Sequence, residues 1–195
     1  MFDKFAELFA AAARGDLDAV TGWVGEDEAI VNRTNTVGAS SLWAAAVGGH
    51  LAVVQYLAEQ GKTDVNQADD SGTAPLHAAA GQGHLIVAQW LLEYGKADVN
   101  QIARNGQTPV FRAAENGHEA VVQYLAEHGK ADVNRSDRDG QTPLWAAASN
   151  GHQVVVQWLM EQGKADVNRS DHDGQTPVFR AAENGRDAVV QWLVG

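Results

Sequence analysis

The chain has 195 residues, a hydrophobic fraction of 45% and a formal net charge of -11. The absence of cysteine excludes disulfides, thiolate metal sites and cysteine nucleophiles, and the acidic balance argues against a nucleic-acid or anionic-membrane surface, because both need clustered Lys and Arg. Since no stretch is apolar for long enough to cross a bilayer and the N-terminus lacks the cationic start of a signal peptide, we expect a cytoplasmic protein.

A period of 34 residues runs through the chain without a gap, and it is clearest from Ser136 to Arg169. Three columns of identical residues carry it: Pro75, Pro109, Pro143 and Pro177; Gly38, Gly72, Gly106, Gly140 and Gly174; Asn32, Asn66, Asn100, Asn134 and Asn168. Self-similarity at a fixed period of this length predicts a stacked-repeat architecture. In such an architecture each repeat contacts only its neighbours.

The repeats predict a single domain over residues 1–195. Residues 1–33 keep the apolar skeleton but lose the turn and the proline, and their acidic run of Glu26, Asp27 and Glu28 favours an N-terminal capping repeat. Full repeats are predicted at 34–67, 68–101, 102–135 and 136–169, and a partial repeat at 170–195.

Each repeat begins with residues that favour a turn followed by a short helix. Asp139 and Gly140 predict a tight turn, in which glycine tolerates positive φ. Thr142 is suited to the N-cap and Pro143 to the first helical position, where a missing N–H does not weaken the helix. Gly151 is expected to end the helix as a left-handed cap.

A second helix is expected from about Gln153 to Glu161, because its large apolar residues fall on one face. Those residues are Val155, Val156, Leu159 and Met160. Gly163 is expected to close this helix, and Lys164 to Asn168 to lead extended into the next turn. Neither helix is long enough to be stable alone in water, so the apolar faces must be buried against neighbouring helices.

Five in-phase copies plus a cap contain Thr-Pro-Leu, Ala-Ala, Gly-His, Val-Val and Gly-x-Ala-Asp-Val-Asn or close variants. This pattern resembles the ankyrin repeat. The resemblance implies an all-α repeat solenoid of stacked helix-turn-helix units with short β-hairpin loops, forming a curved array. The period exceeds the family's usual length of about 33 by one, because a lysine follows the glycine after the second helix, at Lys62, Lys96, Lys130 and Lys164. Ala74, Ala103 and the pair Ser40-Ser41 depart from the pattern, so we expect their hairpins to be less well fixed.

No catalytic or cofactor motif is present: there is no His-Glu-x-x-His, Gly-x-Ser-x-Gly or P-loop. We therefore expect no enzymatic activity, no cofactor and no metal. The segment from Asp137 to Gly140 resembles a calcium loop only weakly, and turn chemistry explains it. A histidine column is predicted to be structural, because successive helices pack about 8–10 Å apart, too far for its members to converge on one ion. It comprises His50, His84, His118 and His152.

Two aromatic columns call for an interpretation. The first is expected to pack on the neighbouring repeat with its polar tips outside, and it comprises Tyr56, Trp90, Tyr124, Trp158 and Trp192. The second directly follows the first-helix Leu or Val, and it comprises Trp43, His77, Phe111, Trp145 and Phe179. We favour packing for the second column as well. An exposed apolar stripe that binds a partner is the alternative.

The resemblance implies that hairpin tips and first helices line a concave groove used for protein recognition. The candidate protein-binding residues lie in the variable columns there: Asp70, Ser71, Thr73, Arg104, Asn105, Gln107, Arg112, Arg138, Asp139, Gln141, Trp145, Ser149 and Asn150. Arg104, Arg112 and Arg138 fall in adjacent repeats, with Arg180 further along. Because guanidinium groups favour carboxylates, an acidic segment is a candidate ligand. Nearby acids, namely Glu115, Asp139 and Glu183, would offset part of this charge.

We therefore predict a non-enzymatic protein–protein interaction scaffold that is monomeric and binds another protein, but neither nucleic acid nor membrane. One alternative is a regulatory or spacer segment of a larger enzyme or receptor, because the last residues leave Trp192 and the nearby valines uncapped. Another is an engineered consensus-like scaffold, although irregular positions such as Ala58 favour a natural origin. The resemblance also suggests hydroxylation of asparagines, as in some animal ankyrin proteins, at Asn66, Asn100, Asn134 and Asn168.

Overall fold

A computed structural model of the protein describes residues 3–59 and 63–194. These residues form twelve α-helices in six consecutive pairs. The pairs are α1 Lys4–Arg14 with α2 Leu17–Glu26, α3 Ser41–Gly48 with α4 Leu51–Glu59, α5 Pro75–Gly81 with α6 Leu85–Glu93, α7 Pro109–Glu115 with α8 Glu119–Glu127, α9 Pro143–Asn150 with α10 Gln153–Glu161, and α11 Pro177–Glu183 with α12 Asp187–Val194. A single 3-10 turn at Glu28–Ile30 follows α2. The predicted all-α repeat class is confirmed.

The predicted β-hairpins are tight turns. Within the described ranges the only β-bridge joins Thr34 to Ser40. The later tips are each closed by two backbone hydrogen bonds, for example from the amide of Asp137 to the carbonyl of Gln141 at 2.9 Å and from the amide of Gly140 to the carbonyl of Asp137 at 3.3 Å. Such short connections position the tip residues without adding a sheet.

The chain forms two compact units. Unit 1 comprises Met1–Ala79 and His84–Asp98, and unit 2 comprises Ala80–Gly83 and Val99–Gly195. In unit 1 α1 packs on α3, and α4 packs on α2 and α6. In unit 2 α9 lies between α7 and α11, and α10 lies between α8 and α12. First helices therefore stack on first helices and second helices on second helices within each unit.

Local chemistry determines where the first helix of a repeat begins and ends. The hydroxyl of Thr142 accepts a hydrogen bond from the amide of Trp145 at 3.2 Å, and Pro143 occupies the first turn. Gly151 ends α9 with φ of 83°. Ser40 caps α3 in the same way as Thr142 caps α9, by accepting from the amide of Trp43 at 3.2 Å. Hence the departure from Thr-Pro at Ser40-Ser41 keeps the cap.

The connection after the second helix differs from the prediction. Three lysines there have positive φ instead of the extended conformation expected: Lys96 at 60°, Lys130 at 59° and Lys164 at 55°. The preceding Gly163 serves a different purpose, because a Cβ there would lie 2.8 Å from the carbonyl oxygen of Leu159. Glycine thus permits the close approach and lysine makes the left-handed turn. Lys62 lies outside the described residues.

The core consists of the apolar columns of both helices. In the fifth repeat Leu144, Val155, Val156 and Leu159 are each at most 1% exposed, whereas Met160 at the end of the predicted apolar face is half-buried. Alanines fill the tight space along the first helices, and Ala147 and Ala148 are fully buried. The predicted apolar face is therefore confirmed for its valines and leucine.

Histidines join one repeat to the next within each unit. In unit 1 the Nε2 atoms of His50 and His84 lie 3.1 and 2.9 Å from the carbonyl oxygens of Ala13 and Val47. In unit 2 the same atom of His118 lies 3.1 Å from the carbonyl oxygen of Gly81. Because a carbonyl can only accept, Nε2 must carry the proton. The predicted structural role of this column is confirmed.

Asparagines provide a second connection between repeats. The Oδ1 atom of Asn134 accepts from the amide of Asp166 at 2.8 Å, and Asn100 accepts from Asp132 at 3.0 Å. In unit 1 Asn66 accepts in the same way from Asp98. Each asparagine amide thus connects its repeat to the following loop. Their hydroxylation stays a hypothesis.

Candidate functional site

The tips of unit 2 are held by carboxylates at the base of each turn. Oδ1 of Asp137 accepts from the amides of Asp139 and Gln141 at 3.0 and 2.9 Å. Asp171 makes the same pair of bonds one repeat later. Desolvation by burial raises the pKa of Asp137, although the backbone amides that it accepts from act in the opposite direction. The turn interpretation of this segment is confirmed.

The tip around Ala103 lacks that carboxylate. The side chain of Asn105 accepts from the amide of Gln107 at 3.1 Å instead. The turn is still closed by the bond from the amide of Ala103 to the carbonyl of Gln107 at 2.9 Å, and Gly106 has φ of 88°. The departure at Ala103 therefore changes which side chain supports the turn but not its geometry.

Consecutive tips of unit 2 are hydrogen-bonded to one another. The amide of Arg138 donates to the carbonyl of Asn105 at 2.9 Å, and the amide of His172 donates to the carbonyl of Asp139 at 2.9 Å. The approach is so close that a Cβ at Gly106 would lie 2.6 Å from the nitrogen of Arg138. We call the exposed residues of these three tips the tip row: Arg104, Asn105, Arg138, Asp139, His172 and Asp173.

The tip row carries unpaired basic side chains. Arg104 and Arg138 are exposed, and neither guanidinium makes a hydrogen bond or ion pair with the described residues. His172 occupies the same position in the next repeat and is also exposed. Its spacing of 34 residues from Arg138 already places His172 in the same variable tip column of the sequence.

The other two arginines are paired locally. The Nη1 atom of Arg112 lies 3.2 Å from a carboxylate oxygen of Glu115. Arg180 pairs in the same way with Glu183, and its guanidinium carbon lies 5.1 Å from the ring centroid of Trp145. The expected offset by Glu115 and Glu183 is therefore present, and the unpaired basic groups of the predicted set are those of Arg104 and Arg138.

A model of ankyrin repeats matches the chain over residues 8–103, 62–137, 96–171 and 130–195. The chain belongs to the ankyrin-repeat family. Ankyrin repeats are generally protein–protein interaction modules, and their fold is typically non-catalytic. Comparison with curated proteins finds no significant match.

Three predicted binding residues are buried between ankyrin repeats. Gln107, Trp145 and Ser149 are 8%, 6% and 7% exposed. The indole N–H of Trp145 donates to the carbonyl of Gln175 at 3.2 Å, and the hydroxyl of Ser149 lies 2.9 Å from the side-chain nitrogen of Asn184. These three side chains are therefore largely covered within the fold, contrary to the expected exposed position, and their part in partner binding stays a prediction.

The remaining candidates of unit 2 are accessible to different degrees. Asn105, Asp139 and Asn150 are exposed, whereas Arg112 and Gln141 are half-buried. The amide of Asn150 donates to the carbonyls of Glu115 and Ala146, both at 3.1 Å. Asn150 thus also has a structural role, whereas the guanidinium groups of Arg104 and Arg138 make no hydrogen bond with the described residues.

The aromatic column after the first-helix Leu or Val is mostly packed. His77 and Phe111 are 1% exposed and Trp145 is 6% exposed, so packing is confirmed for these three. Trp43 is half-buried. Phe179 is 51% exposed, so the packing interpretation is wrong for this residue. No described helix pair follows α12 to cover it.

The candidates of unit 1 lie on an acidic tip. Asp70 and Ser71 are exposed and Thr73 is half-buried. Oδ1 of Asp69 holds this turn by accepting from the amides of Ser71 and Thr73 at 2.9 and 2.8 Å. Unlike Arg104 and Arg138, the residue at the equivalent position here, Asp70, is an acid. The unit 1 tip therefore does not extend the basic character of the tip row.

Sequence reasoning missed a cavity of about 420 Å³ in unit 1. Its lining includes Asp3, Phe5, Phe9 and Arg33. The guanidinium of Arg33 covers the ring of Phe5 at 5.2 Å and lies 3.4 Å from a carboxylate oxygen of Asp3. Phe9 precedes Trp43 by 34 residues, so the repeat period could have placed Phe9 in the same aromatic column as Trp43.

Two further properties concern the described ranges only. Residues 3–59 and 63–194 contain no group of three or more His, Asp or Glu side chains that could hold a metal ion. Across the same residues, no helix combines the length and apolar character needed to span a membrane.

Proposed function

We propose that this ankyrin-repeat protein is a non-enzymatic, monomeric recognition module of the cytoplasm, and that it binds an acidic segment of a partner protein along the tip row of unit 2. The observation that carries the proposal is the placement of Arg104 and Arg138. Both are exposed and unpaired among the described residues, and they stand on adjacent tips joined by a hydrogen bond. In a chain of net charge -11, this position concentrates basic groups.

The backbone of the tip row supports recognition because it is already ordered. The carboxylates of Asp137 and Asp171 and the bonds between tips fix the turns before any partner arrives. Binding then requires ordering of the arginine side chains but not of the loops, which lowers the entropy cost of association. A guanidinium can donate two parallel hydrogen bonds to a carboxylate, so the partner is expected to present Asp or Glu residues in an extended segment.

Charge reversal of both arginines tests this assignment. Exposed ion pairs contribute about 0.2–1 kcal/mol each, and reversal also introduces repulsion, so Arg104→Glu with Arg138→Glu should weaken binding roughly tenfold. The probe is a labelled peptide of alternating glutamate and alanine, measured by fluorescence anisotropy. The melting temperature should be nearly unchanged, because neither guanidinium contributes a bond to the described fold.

A matched control is available in the loops after the second helices. Lys130→Glu with Lys164→Glu changes the net charge by the same amount at exposed sites outside the tip row. This control should retain most of the binding. If both double variants bind the acidic peptide equally, or if an alternating lysine and alanine peptide binds the native chain more tightly than the glutamate peptide does, the assignment of the tip row is wrong.

A further inference from the structure

Unit 2 contains all four Asn-Gly sequences of the chain: Asn105-Gly106, Asn116-Gly117, Asn150-Gly151 and Asn184-Gly185. An asparagine before glycine is chemically labile, because the glycine amide nitrogen can attack the side-chain carbon Cγ without hindrance from a Cβ. At every one of these sites the glycine amide donates to the carbonyl three residues earlier, for example from Gly106 to Ala103 at 2.9 Å. Opening that bond is a cost that all four sites share, so the asparagine side chains decide which site reacts.

Three of these asparagines stand at the ends of first helices, and their side chains are held by hydrogen bonds to earlier residues. All three donate from Nδ2: Asn116 to the carbonyl of Arg112 at 2.9 Å, Asn150 to that of Ala146 at 3.1 Å, and Asn184 to that of Ser149 at 3.0 Å. We call them the helix-end asparagines. Each side chain must be released from its carbonyl before the following glycine can attack it.

The side chain of Asn105 is folded forward over the next peptide. Its Oδ1 atom accepts from the amide of Gln107 at 3.1 Å, and no described group accepts from its Nδ2 atom. The ring closed by this hydrogen bond, an Asx turn, contains both Cγ of Asn105 and the nitrogen of Gly106. The two reacting atoms thus belong to one turn. The amide on Oδ1 also stabilises the negative charge that develops on this oxygen during the attack.

The alanine at position 103 explains why this arrangement occurs at one tip. At the next tip Oδ1 of Asp137 accepts from the amide of Gln141, the residue equivalent to Gln107, at 2.9 Å. Ala103 stands at the position of Asp137 and has no side-chain acceptor. The tip amide therefore bonds to the side chain of Asn105.

We propose that Asn105 is a site of spontaneous deamidation. The nitrogen of Gly106 loses its proton and bonds to Cγ of Asn105, while the bond from Cγ to Nδ2 breaks and Nδ2 leaves as ammonia with that proton. The product is a five-membered succinimide ring. Water that breaks the bond from the Gly106 nitrogen to Cγ gives aspartate. Water that breaks the bond from this nitrogen to the backbone carbonyl carbon gives isoaspartate.

The two products differ in their effect on the tip. Aspartate fits, because residues 104–109 and 138–143 differ in sequence only by Asn105 and Asp139. Isoaspartate routes the main chain through Cγ, so the carbonyl that accepts from the amide of Arg138 at 2.9 Å becomes a carboxylate outside the main chain. Either product adds a negative charge beside Arg104 and Arg138. A resulting loss of acidic-peptide binding rests on the proposed function, whereas the deamidation itself does not.

The experiment incubates the full chain at mildly alkaline pH and follows the mass increase that accompanies replacement of an amide by a carboxyl group. Cleavage after lysine leaves Asn105 inside the peptide 97–130, where fragment ions distinguish it from Asn116. A sample digested without incubation gives the background. In the folded chain Asn105 should deamidate roughly tenfold faster than the helix-end asparagines, because it need not first break a bond from Nδ2. In concentrated urea the four rates should converge.

Substitutions of Ala103 test the cause. Ala103→Asp restores the acceptor that Asp137 provides. Ala103→Asn does so without added charge, as Asn35 does at its own tip, where Oδ1 accepts from two backbone amides at 3.0 Å. In both variants the new side chain should take the tip amide, and deamidation of Asn105 should slow roughly tenfold. The rate at Asn116 should be unchanged and serves as the internal control.

Each outcome bears on the proposal. Preferential deamidation of Asn105 that both variants slow supports it. Equal rates at Asn105 and a helix-end asparagine in the folded chain would overturn it. A native rate at Asn105 in both variants would overturn it too, because the Asx turn would then not control the reaction. Slowing by Ala103→Asp alone would assign the effect to charge and likewise overturn the role of the turn. Peptide binding enters none of these measurements, so the tip-row assignment can fail without affecting them.

Discussion

Two glycine substitutions separate the effect of backbone conformation from the effect of the interface between repeats. Gly117 and Gly185 occupy the same position and have φ of 78° and 65°. A Cβ at Gly117 would lie 2.5 Å from Nδ1 of His152, whereas a Cβ at Gly185 would meet no described atom within 4 Å. Gly117→Ala must therefore displace the His152 ring, and Gly185→Ala need not displace any described group.

The expected magnitudes follow from these contacts. Alanine in the left-handed region costs about 1–2 kcal/mol at either position. Displacing the His152 ring also breaks the 2.9 Å bond to the carbonyl of Glu115, and a lost hydrogen bond adds about 0.5–1.5 kcal/mol before any loss of packing. Gly185→Ala should thus lower the free energy of unfolding by about 1–2 kcal/mol, and Gly117→Ala by about 1.5–3.5 kcal/mol.

Urea unfolding followed by tryptophan fluorescence and by circular dichroism measures both free energies, and coincident transitions justify their comparison. A double variant adds His152→Ala to Gly117→Ala. Since the smaller side chain removes the collision, the two substitutions together should destabilise the protein by less than the sum of their separate effects. Equal destabilisation by Gly117→Ala and Gly185→Ala, or additivity in the double variant, would refute the role assigned to the histidine.

Two further predictions concern single loop residues. Because Lys130 has φ of 59°, Lys130→Gly should be more stable in urea than Lys130→Ala by about 1 kcal/mol, and equal stability would contradict the left-handed assignment. Burial raises the pKa of Asp137, so the Asp137 carboxyl holds its proton more tightly in the folded state than in the unfolded state. Ionisation of this carboxyl therefore destabilises the fold as pH rises through the folded-state pKa. The stability of Asp137→Asn relative to the native chain should therefore increase between about pH 3.5 and about pH 7, and a pH-independent difference between the two urea midpoints would refute this sign.

The helices could be predicted from the sequence because short-range chemistry determines their ends. Thr142 and Gly151 act within a few residues of their own positions, and the expected bounds Gln153–Glu161 are those of α10. The conformation of Lys164 was not predictable by the same rules. Gly163 and Lys164 are adjacent, and the choice of which one turns left depends on the approach to the Leu159 carbonyl.

The candidate site was less predictable because burial depends on the neighbouring repeat. Ser149 looks like a free polar residue in the sequence, yet it accepts a bond from Asn184 in the next repeat. Trp145 and Phe179 have the same local surroundings in sequence, but only Trp145 has a described repeat beyond it. A residue that varies between repeats therefore lies at a contact surface. Sequence variation alone does not say whether that surface contacts the adjoining repeat or a partner protein.

The spacing of the hydrogen bonds between repeats determines which insertions and deletions in the coding sequence preserve those bonds. Every histidine bond spans 37 residues, and every asparagine bond to the following loop spans 32 residues. Duplicating or deleting a whole 34-residue block inside either unit leaves both spacings intact, because the new junction joins equivalent positions. Losing one codon instead changes the spacing of each bond whose donor and acceptor lie on opposite sides of the deletion. Recombination in steps of one repeat thus changes the length of the array while each histidine still meets the backbone of the preceding repeat.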